Sequence, residues 1–328
     1  MPGVVIVVTG PTAAGKTPLA IEIALRFGGE IVNADSMQVY RHLDIGTAKP
    51  SLEERARVPH HLFDVVTPDV RYSAGRYARE ARSAAEAIHA AGAVVVLTGG
   101  TGLYIRAFLQ GMVVDAEVDP EIRAGLERQH EQAVGEGDPD RLHRRLCELD
   151  PEAAARVHPN DARRTLRALE ILEQQGERAS SLRRRHGFAD RPYRSLHLAI
   201  DPGREALGPR VDRRCHAMIE GGLLQEVRDL RERGYGPELR SMQAIGYRHL
   251  NAVVEGSDTL VNAERAMRRD TRQFARRQRT WLRKVEEAEW WNPEDEKGIL
   301  DRVEGFLRAN PGALLPPSRT APGRRYRT

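Results

Sequence analysis

The chain has 328 residues, 40% hydrophobic and 30% charged, with a net charge of +4. That length allows one large domain or two ordinary ones. No apolar run approaches the roughly 18 residues that would span a bilayer. The two cysteines, Cys147 and Cys215, lie far apart without metal-ligand spacing. This argues against a zinc site or a disulfide framework and fits a reducing cytoplasm.

Val4 to Val8 is a short β-branched run, the form of a strand buried on both faces. It lacks the basic flank and the length of a signal-peptide core. After a glycine loop, Thr17 to Phe27 has helical spacing, Gly28 and Gly29 end it, and Glu30 to Ala34 reads as a second strand. Tyr72 to Ala91 is an alanine-rich helix stopped by Gly92, and Ala93 to Leu97 is another buried strand. Strands alternating with helices, with glycine turns at strand ends, predict an open parallel sheet that binds ligands at its carboxyl edge. The fold class expected is α/β, a P-loop NTPase-like parallel sheet flanked by helices, with an α-helical insertion domain.

From about Asp115 to Arg194 the sequence turns polar, with helical segments at Pro120–Val134, Pro139–Glu148, Pro151–Val157 and Asp161–Gln175. Ser195 to Ile200 reads as a strand returning to the sheet, followed by helices over Val211–Arg233 and Val261–Val285. The resulting division is a core of 1–114 and 195–308, an insertion of 115–194, and a disordered Pro- and Arg-rich tail of 309–328.

Gly10, Pro11, Thr12, Ala13, Ala14, Gly15, Lys16 and Thr17 fit G-x-x-x-x-G-K-[ST] after a strand and before a helix. Such a loop turns successive N–H groups and a helix N-terminus toward an anion. Lys16 neutralises phosphate charge and Thr17 can ligate Mg²⁺. The loop alone does not specify the reaction. Asp35, Ser36, Met37 and Gln38 follow the second strand. They offer a carboxylate to take a proton and an amide that can pair bidentately with adenine, but read equally well as a helix N-cap. Thr98 to Gly102 allows close backbone approach to a ligand, or a plain turn. His60 and His61 are adjacent, point to opposite sides, and have no second cluster to complete a metal site.

The segment from Arg265 to Lys284 is the most informative feature outside a motif. At about 100° per residue, Arg265, Arg269, Arg272, Arg276, Arg279 and Arg283 fall within about 40° of one line. Met267, Phe274, Trp281 and Val285 lie opposite. A guanidinium stripe without acids suits a polyanion longer than a nucleotide, namely nucleic acid.

Taken in order, these motifs resemble the bacterial-type tRNA dimethylallyltransferase family over about residues 3 to 285. The resemblance rests on Gly10–Thr17, on Asp35–Arg41 with Asp44–Pro50, on Pro59–Leu62 and on Gly99–Tyr104. It continues with His158–Asp161, Met242–Tyr247, Arg276–Gln278 and Thr280–Trp281. It implies transfer of a dimethylallyl group from dimethylallyl diphosphate to N6 of the adenosine 3'-adjacent to the anticodon, by a cytoplasmic monomer using Mg²⁺. It also implies roles. Asp35 would be the general base, Gln38 would orient adenine, and the P-loop with Lys16 would hold the diphosphate. Thr101 would touch the donor near its bridging oxygen. Arg214 would be the second diphosphate cation, although Arg210 and Arg213 blur that assignment. For tRNA it implies Arg123, Pro159, Asn160, Asp161, Ala162 and Arg163 in the insertion, then Met242, Gln243, Ala244, Ile245 and Gly246, with Arg272, Arg276 and Arg279 of the stripe. Phe63 stands where a smaller aliphatic is expected. Two rivals share part of the pattern, an isopentenyltransferase acting on free adenine nucleotides and a small-molecule P-loop kinase. Neither accounts for the stripe.

Overall fold

The computed structural model describes residues 2–112, 119–186 and 190–311; the tail expected beyond 311 lies outside them. β1 (Gly3–Thr9) is buried from Val4 onward. α1 (Lys16–Phe27) ends at Gly28, whose left-handed φ of 63° lets its N–H reach the Ala24 carbonyl. β2 (Gly29–Asn33) follows. Next is α2 (Leu52–Arg57), opened by a capping box in which Ser51 and Glu54 exchange side-chain-to-backbone hydrogen bonds. β3 (His60–His61), α3 (Ala74–Ala90), β4 (Val94–Gly99) and α4 (Gly102–Gln110) complete the first half.

The described residues between 110 and 190 form one compact unit. It holds α5 (Pro120–Gly135), α6 (Arg141–Leu149), α7 (Pro151–Ala154), α8 (Ala162–Gln175) and α9 (Ala179–His186). Its core is small, built on Leu126, Leu142, Leu146, Leu166 and Leu169. Buried Asp150 caps α7 at Ala153 and also accepts the Ser180 N–H of α9.

The other unit takes the described residues up to 109 and those from 191 onward. Its second half holds β5 (Tyr193–Ile200), α10 (Arg204–Glu220), α11 (Leu223–Glu232), α12 (Tyr247–Val254), α13 (Leu260–Leu282), β6 (Ala288–Trp291) and α14 (Glu296–Arg308). Six strands pair in the order β3-β2-β4-β1-β5-β6, every neighbour parallel. Val5 faces Val95 and Val7 faces Leu97 across β1 and β4. Alternation divides these strands between two layers. Val5, Val7, Val95 and Leu97 pack with Tyr77, Phe108 and Met267. Val4, Ile6, Val8, Val94 and Val96 pack with Ile21 and Ile23 of α1 and with Ile299 and Val303 of α14. Each fully buried aliphatic contributes on the order of 2 kcal/mol. Both faces are covered, which is why the strands read as unbroken apolar runs.

The structure corrects several element boundaries. The single helix expected over Val211–Arg233 is two, broken at Gly221–Gly222, with Gly222 at φ 96° starting α11. α10 also begins seven residues earlier than expected and keeps Pro209 inside it, forgoing one i→i−4 hydrogen bond. α2, β3, α4, α9, α12, β6 and the terminal α14 have no counterpart among the expected elements. Asn310, expected within the disordered tail of 309–328, donates to the Phe306 carbonyl and accepts from Arg194. No helix among the described residues is long and apolar enough to cross a membrane.

Candidate active site

The loops after β1, β2 and β4 end at the same sheet edge, as parallel strands require. In the first, Gly10 has φ 154°, and a Cβ there would lie 2.2 Å from the Ile200 carbonyl oxygen. Glycine is therefore needed where the loop crosses β5. α1 opens at Gly15 without a side-chain cap, so its first N–H groups are available to an anion. Lys16 Nζ donates to the Pro11 carbonyl at 2.8 Å. Burial and, secondarily, the Arg214 charge lower its pKa to about 8, against an upward pull from Asp35.

A cavity of about 350 Å³ opens over this loop, lined by Gly15, Lys16, Thr17, Asp35, Gln38 and Arg214 among others. The structure separates the three arginines that the sequence could not. Arg214 enters the cavity, Arg210 pairs with Glu294 at 3.4 Å, and Arg213 is exposed. Burial lowers the Arg214 pKa while Asp35 opposes it; a guanidinium stays charged regardless.

Asp35 is fixed by a residue that sequence reading missed. Asn33 is fully buried at the end of β2. Its Oδ1 accepts the Asp35 N–H, and its Nδ2 donates to the Asp35 and Leu62 carbonyls. An asparagine closing a buried apolar strand was the available signal, because a buried amide needs partners. Asp35 Oδ1 accepts the Met37 N–H at 2.9 Å in a local turn. No helix follows it, so the N-cap alternative is set aside. Asp35 Oδ2 makes no hydrogen bond among the described residues.

One expected geometry is corrected. Both donors of the Gln38 amide are already taken by the Thr47 and Ala48 carbonyls, each at 3.0 Å. Only its oxygen remains, so bidentate pairing with adenine is not available. Thr101 Oγ1 accepts the Ser36 N–H at 2.9 Å and lies 3.3 Å from Ser36 Oγ. Half-buried Thr101 thereby holds the Ser36 loop beside the cavity.

The segment from Asp44 to Lys49 is held by ionic contacts to the buried Lys49 side chain. Lys49 Nζ reaches Asp64 at 2.6 Å, Asp44 at 2.7 Å and the Tyr40 carbonyl at 2.6 Å. Burial alone would raise the Asp64 pKa, but hydrogen bonds from Lys49 and Arg55 hold it below the usual carboxylate range. Glu226 gathers the N–H groups of Asp44, Ile45 and Gly46 and the Tyr247 hydroxyl. The two motifs Asp44–Pro50 and Met242–Tyr247 are thereby tied together. Met242 is fully buried, which removes its side chain from any contact with RNA bases. Gly246 is buried too, Ala244 and Ile245 are half-buried, and exposed Gln243 donates to the Pro237 carbonyl. His60 and His61 form the edge strand β3; His61 meets Glu30 at 2.6 Å and His60 Nδ1 meets the Val58 carbonyl.

On α13 the expected stripe forms, but it is not free of acids. Arg272 pairs with Asp212, Arg279 with Asp201 at 2.8 Å, and Arg269 with Asp270 at 3.0 Å. Arg265, Arg276 and Arg283 are exposed and have no carboxylate partner among the described residues. Arg272, Arg276, Arg279 and Arg283 line a second cavity of about 450 Å³ with Arg204 of α10.

In the helical unit, Arg123 is engaged with Glu127 at 2.7 Å and with fully buried Glu170 at 2.5 Å. Pro159, Asn160 and Arg163 are exposed, Ala162 is half-buried, and Asp161 caps α8 by accepting the Arg164 N–H.

Comparison with known proteins places these features. The IPP transferase family profile matches residues 38–285. The tRNA dimethylallyltransferase 2 of Geotalea uraniireducens is 51% identical over 303 residues, covering 92% of this chain and 96% of that protein. A full-length tRNA isopentenylpyrophosphate transferase from Bacillus halodurans, of known structure, superposes with TM-score 0.69 at 34% identity, covering 95% of this chain and 98% of its own. A eukaryotic dimethylallyltransferase acting on tRNA superposes with TM-score 0.78 at 29% identity, over 94% of this chain and 79% of that one.

Proposed function

This chain belongs to the IPP transferase family, and from that premise we propose how its residues divide the reaction. Its activity is that of a tRNA dimethylallyltransferase, which modifies an adenosine of tRNA with dimethylallyl diphosphate as donor. The position we assign is N6 of the adenosine 3'-adjacent to the anticodon.

One observation carries the assignment. Two cations, Lys16 and Arg214, and one carboxylate with a free oxygen, Asp35, line a single cavity at the P-loop. The free N–H groups of the loop and α1 receive the diphosphate, with Lys16 and Arg214 on its oxygens. The adenine N6 attacks C1 of the allyl group, and the C1–O bond breaks with its electron pair leaving on pyrophosphate. The proton lost from N6 goes to Asp35 Oδ2. The two cations face the charge that grows on the leaving group. Gln38 Oε1 accepts from the exocyclic amine and orients it. An adenine stacked in a loop cannot offer N6 to a cavity, so the base flips out.

Thr17 lines the cavity beside Lys16. A single hydroxyl suits Mg²⁺, which keeps several waters and takes its other oxygens from phosphate. Bound there, the ion would neutralise charge on the leaving diphosphate.

Arg276 and Arg283, without a carboxylate partner among the described residues on the outer face of α13, are the phosphate contacts for tRNA, while Arg272 and Arg279 hold the helix to its neighbours. The exposed Pro159, Asn160 and Arg163 are the contacts we assign in the helical unit. The test is incubation with Mg²⁺, labelled dimethylallyl diphosphate and unmodified tRNA, with AMP and ATP as controls. Label is expected in tRNA at the adenosine after the anticodon. Label in AMP and not in tRNA would refute the substrate, and ATP hydrolysis without prenyl transfer would favour the kinase reading.

A further inference from the structure

Gln278 lies on the inner side of α13, between the outward-facing Arg276 and Arg279, and is 7% exposed. It reaches two of the three converging loops. Its Oε1 accepts the Thr12 N–H at 2.8 Å, and its Nε2 donates to the Gly100 carbonyl at 3.0 Å. The Thr12 amide is therefore not among the N–H groups that face the anion. In a trans peptide the N–H and C=O point in opposite directions. The carbonyl of the same Pro11–Thr12 peptide is the one that receives Lys16 Nζ at 2.8 Å. One peptide plane is held on its N–H edge by Gln278 and on its C=O edge by the P-loop lysine, with a longer contact from the Ala14 N–H at 3.3 Å. A Cβ at Gly100 would lie 2.2 Å from Nε2, so any larger residue there would displace the Gln278 amide.

The geometry points to Gln278 as a positioning residue that sets Lys16 through the Pro11–Thr12 peptide plane and ties the P-loop to the loop after β4. It rests on the reading above that Lys16 holds the donor's diphosphate. If the amide is lost, the plane can rotate, the Pro11 carbonyl leaves Lys16, and the ammonium no longer waits where the diphosphate arrives. The other charged and titratable groups on this cavity are Arg214 from α10, Asp35 after β2, and Lys49, Glu54 and His60 from the segment before and within β3. None of them touches the Pro11–Thr12 peptide.

Three variants test it: Gln278→Met, which keeps length and removes both hydrogen bonds; Gly100→Ala, which displaces the amide without altering α13; and the two combined. We expect each single variant to raise KM for dimethylallyl diphosphate and Ki for pyrophosphate about tenfold, while Kd for tRNA stays within about twofold. The alkaline limb of the donor KM should move to lower pH, because an ammonium without its carbonyl loses its proton more easily. The combined variant should be no worse than either single one, because both break the same contact. A rise in tRNA Kd with donor KM unchanged would overturn the proposal by making Gln278 an RNA contact. Multiplying effects in the combined variant, or a fall in Tm with KM and pH profile unchanged, would overturn it as well. If Gln278→Met does not fold, Gly100→Ala alone carries the KM and pH tests. Lys16→Met is the control. If it leaves donor KM unchanged, the reading of the P-loop fails; if only the Gln278 and Gly100 variants do, this inference alone fails.

Discussion

Two regions of this molecule present arginine and lysine to solvent or to a cavity, and they treat the charge differently. At the P-loop, Lys16 and Arg214 have no carboxylate in ion-pair contact among the described residues and line a cavity with each other. On the outer face of α13, Arg269, Arg272 and Arg279 are each matched by an aspartate. Desolvating a cation without a partner is costly, so an unpaired pair in a cavity marks a place where an anion is expected. A paired arginine on a helix surface can be scaffold, and its presence in a basic stripe says little about binding. The lesson is that charge pattern on one helix locates a face, whereas partners contributed by other elements decide which guanidiniums are free.

The sharpest way to break this contrast is Asp35→Asn. Loss of the general base should lower kcat by about 10³-fold while tRNA Kd measured by filter binding stays within a few-fold. Normal turnover in that variant would remove Asp35 from proton transfer. Next in size, Lys16→Met and Arg214→Gln should each raise KM for dimethylallyl diphosphate by about 10- to 100-fold, in line with a lost charge-assisted contact to phosphate. Unchanged KM in both would dissolve the distinction between the two regions.

A smaller effect comes from pH. The Lys16 pKa is lowered to about 8 in the free protein, and only the protonated form attracts the diphosphate. Donor affinity should hold below that pH. Above it, KM should climb by up to about tenfold per unit, until the higher pKa of the complex is reached. Steady-state KM between pH 7 and 9.5 checks this, and Lys16→Met should flatten the rise.

The smallest effects belong to the stripe and sharpen its internal division. Arg276→Ala and Arg283→Ala should each weaken tRNA binding a few-fold and reduce the slope of log Kd against log salt by about one. Arg272→Ala should leave that slope nearly unchanged, because its charge is already answered by Asp212. Equal slopes for all three would mean that RNA displaces the aspartates.

The P-loop, the two-faced burial of β1 and β4 and the period of α13 could all be read from residue order, because each depends on neighbours within one element. Asp35 and Lys16 were likewise visible as loop residues at strand ends. Arg214 was not separable from Arg210 and Arg213 until α10 showed which of them enters the cavity. Gln38 kept its promise only in part, since carbonyls nine and ten residues away hold its donors. Met242 carried a motif yet sits wholly in the core.

The sequence by itself determined the phosphate loop, the parallel α/β class and the basic helix, because backbone conformation and burial leave local periodic marks. Only the tertiary structure decided which cations are unpaired, that Asn33 fixes Asp35, and that Gln278 grips the P-loop from 266 residues away. Hydrogen bonds and ion pairs are short-ranged in space and indifferent to separation along the chain, so partners such as Asp212, Asp201 and Gln278 leave no trace in the pattern around the residues they control.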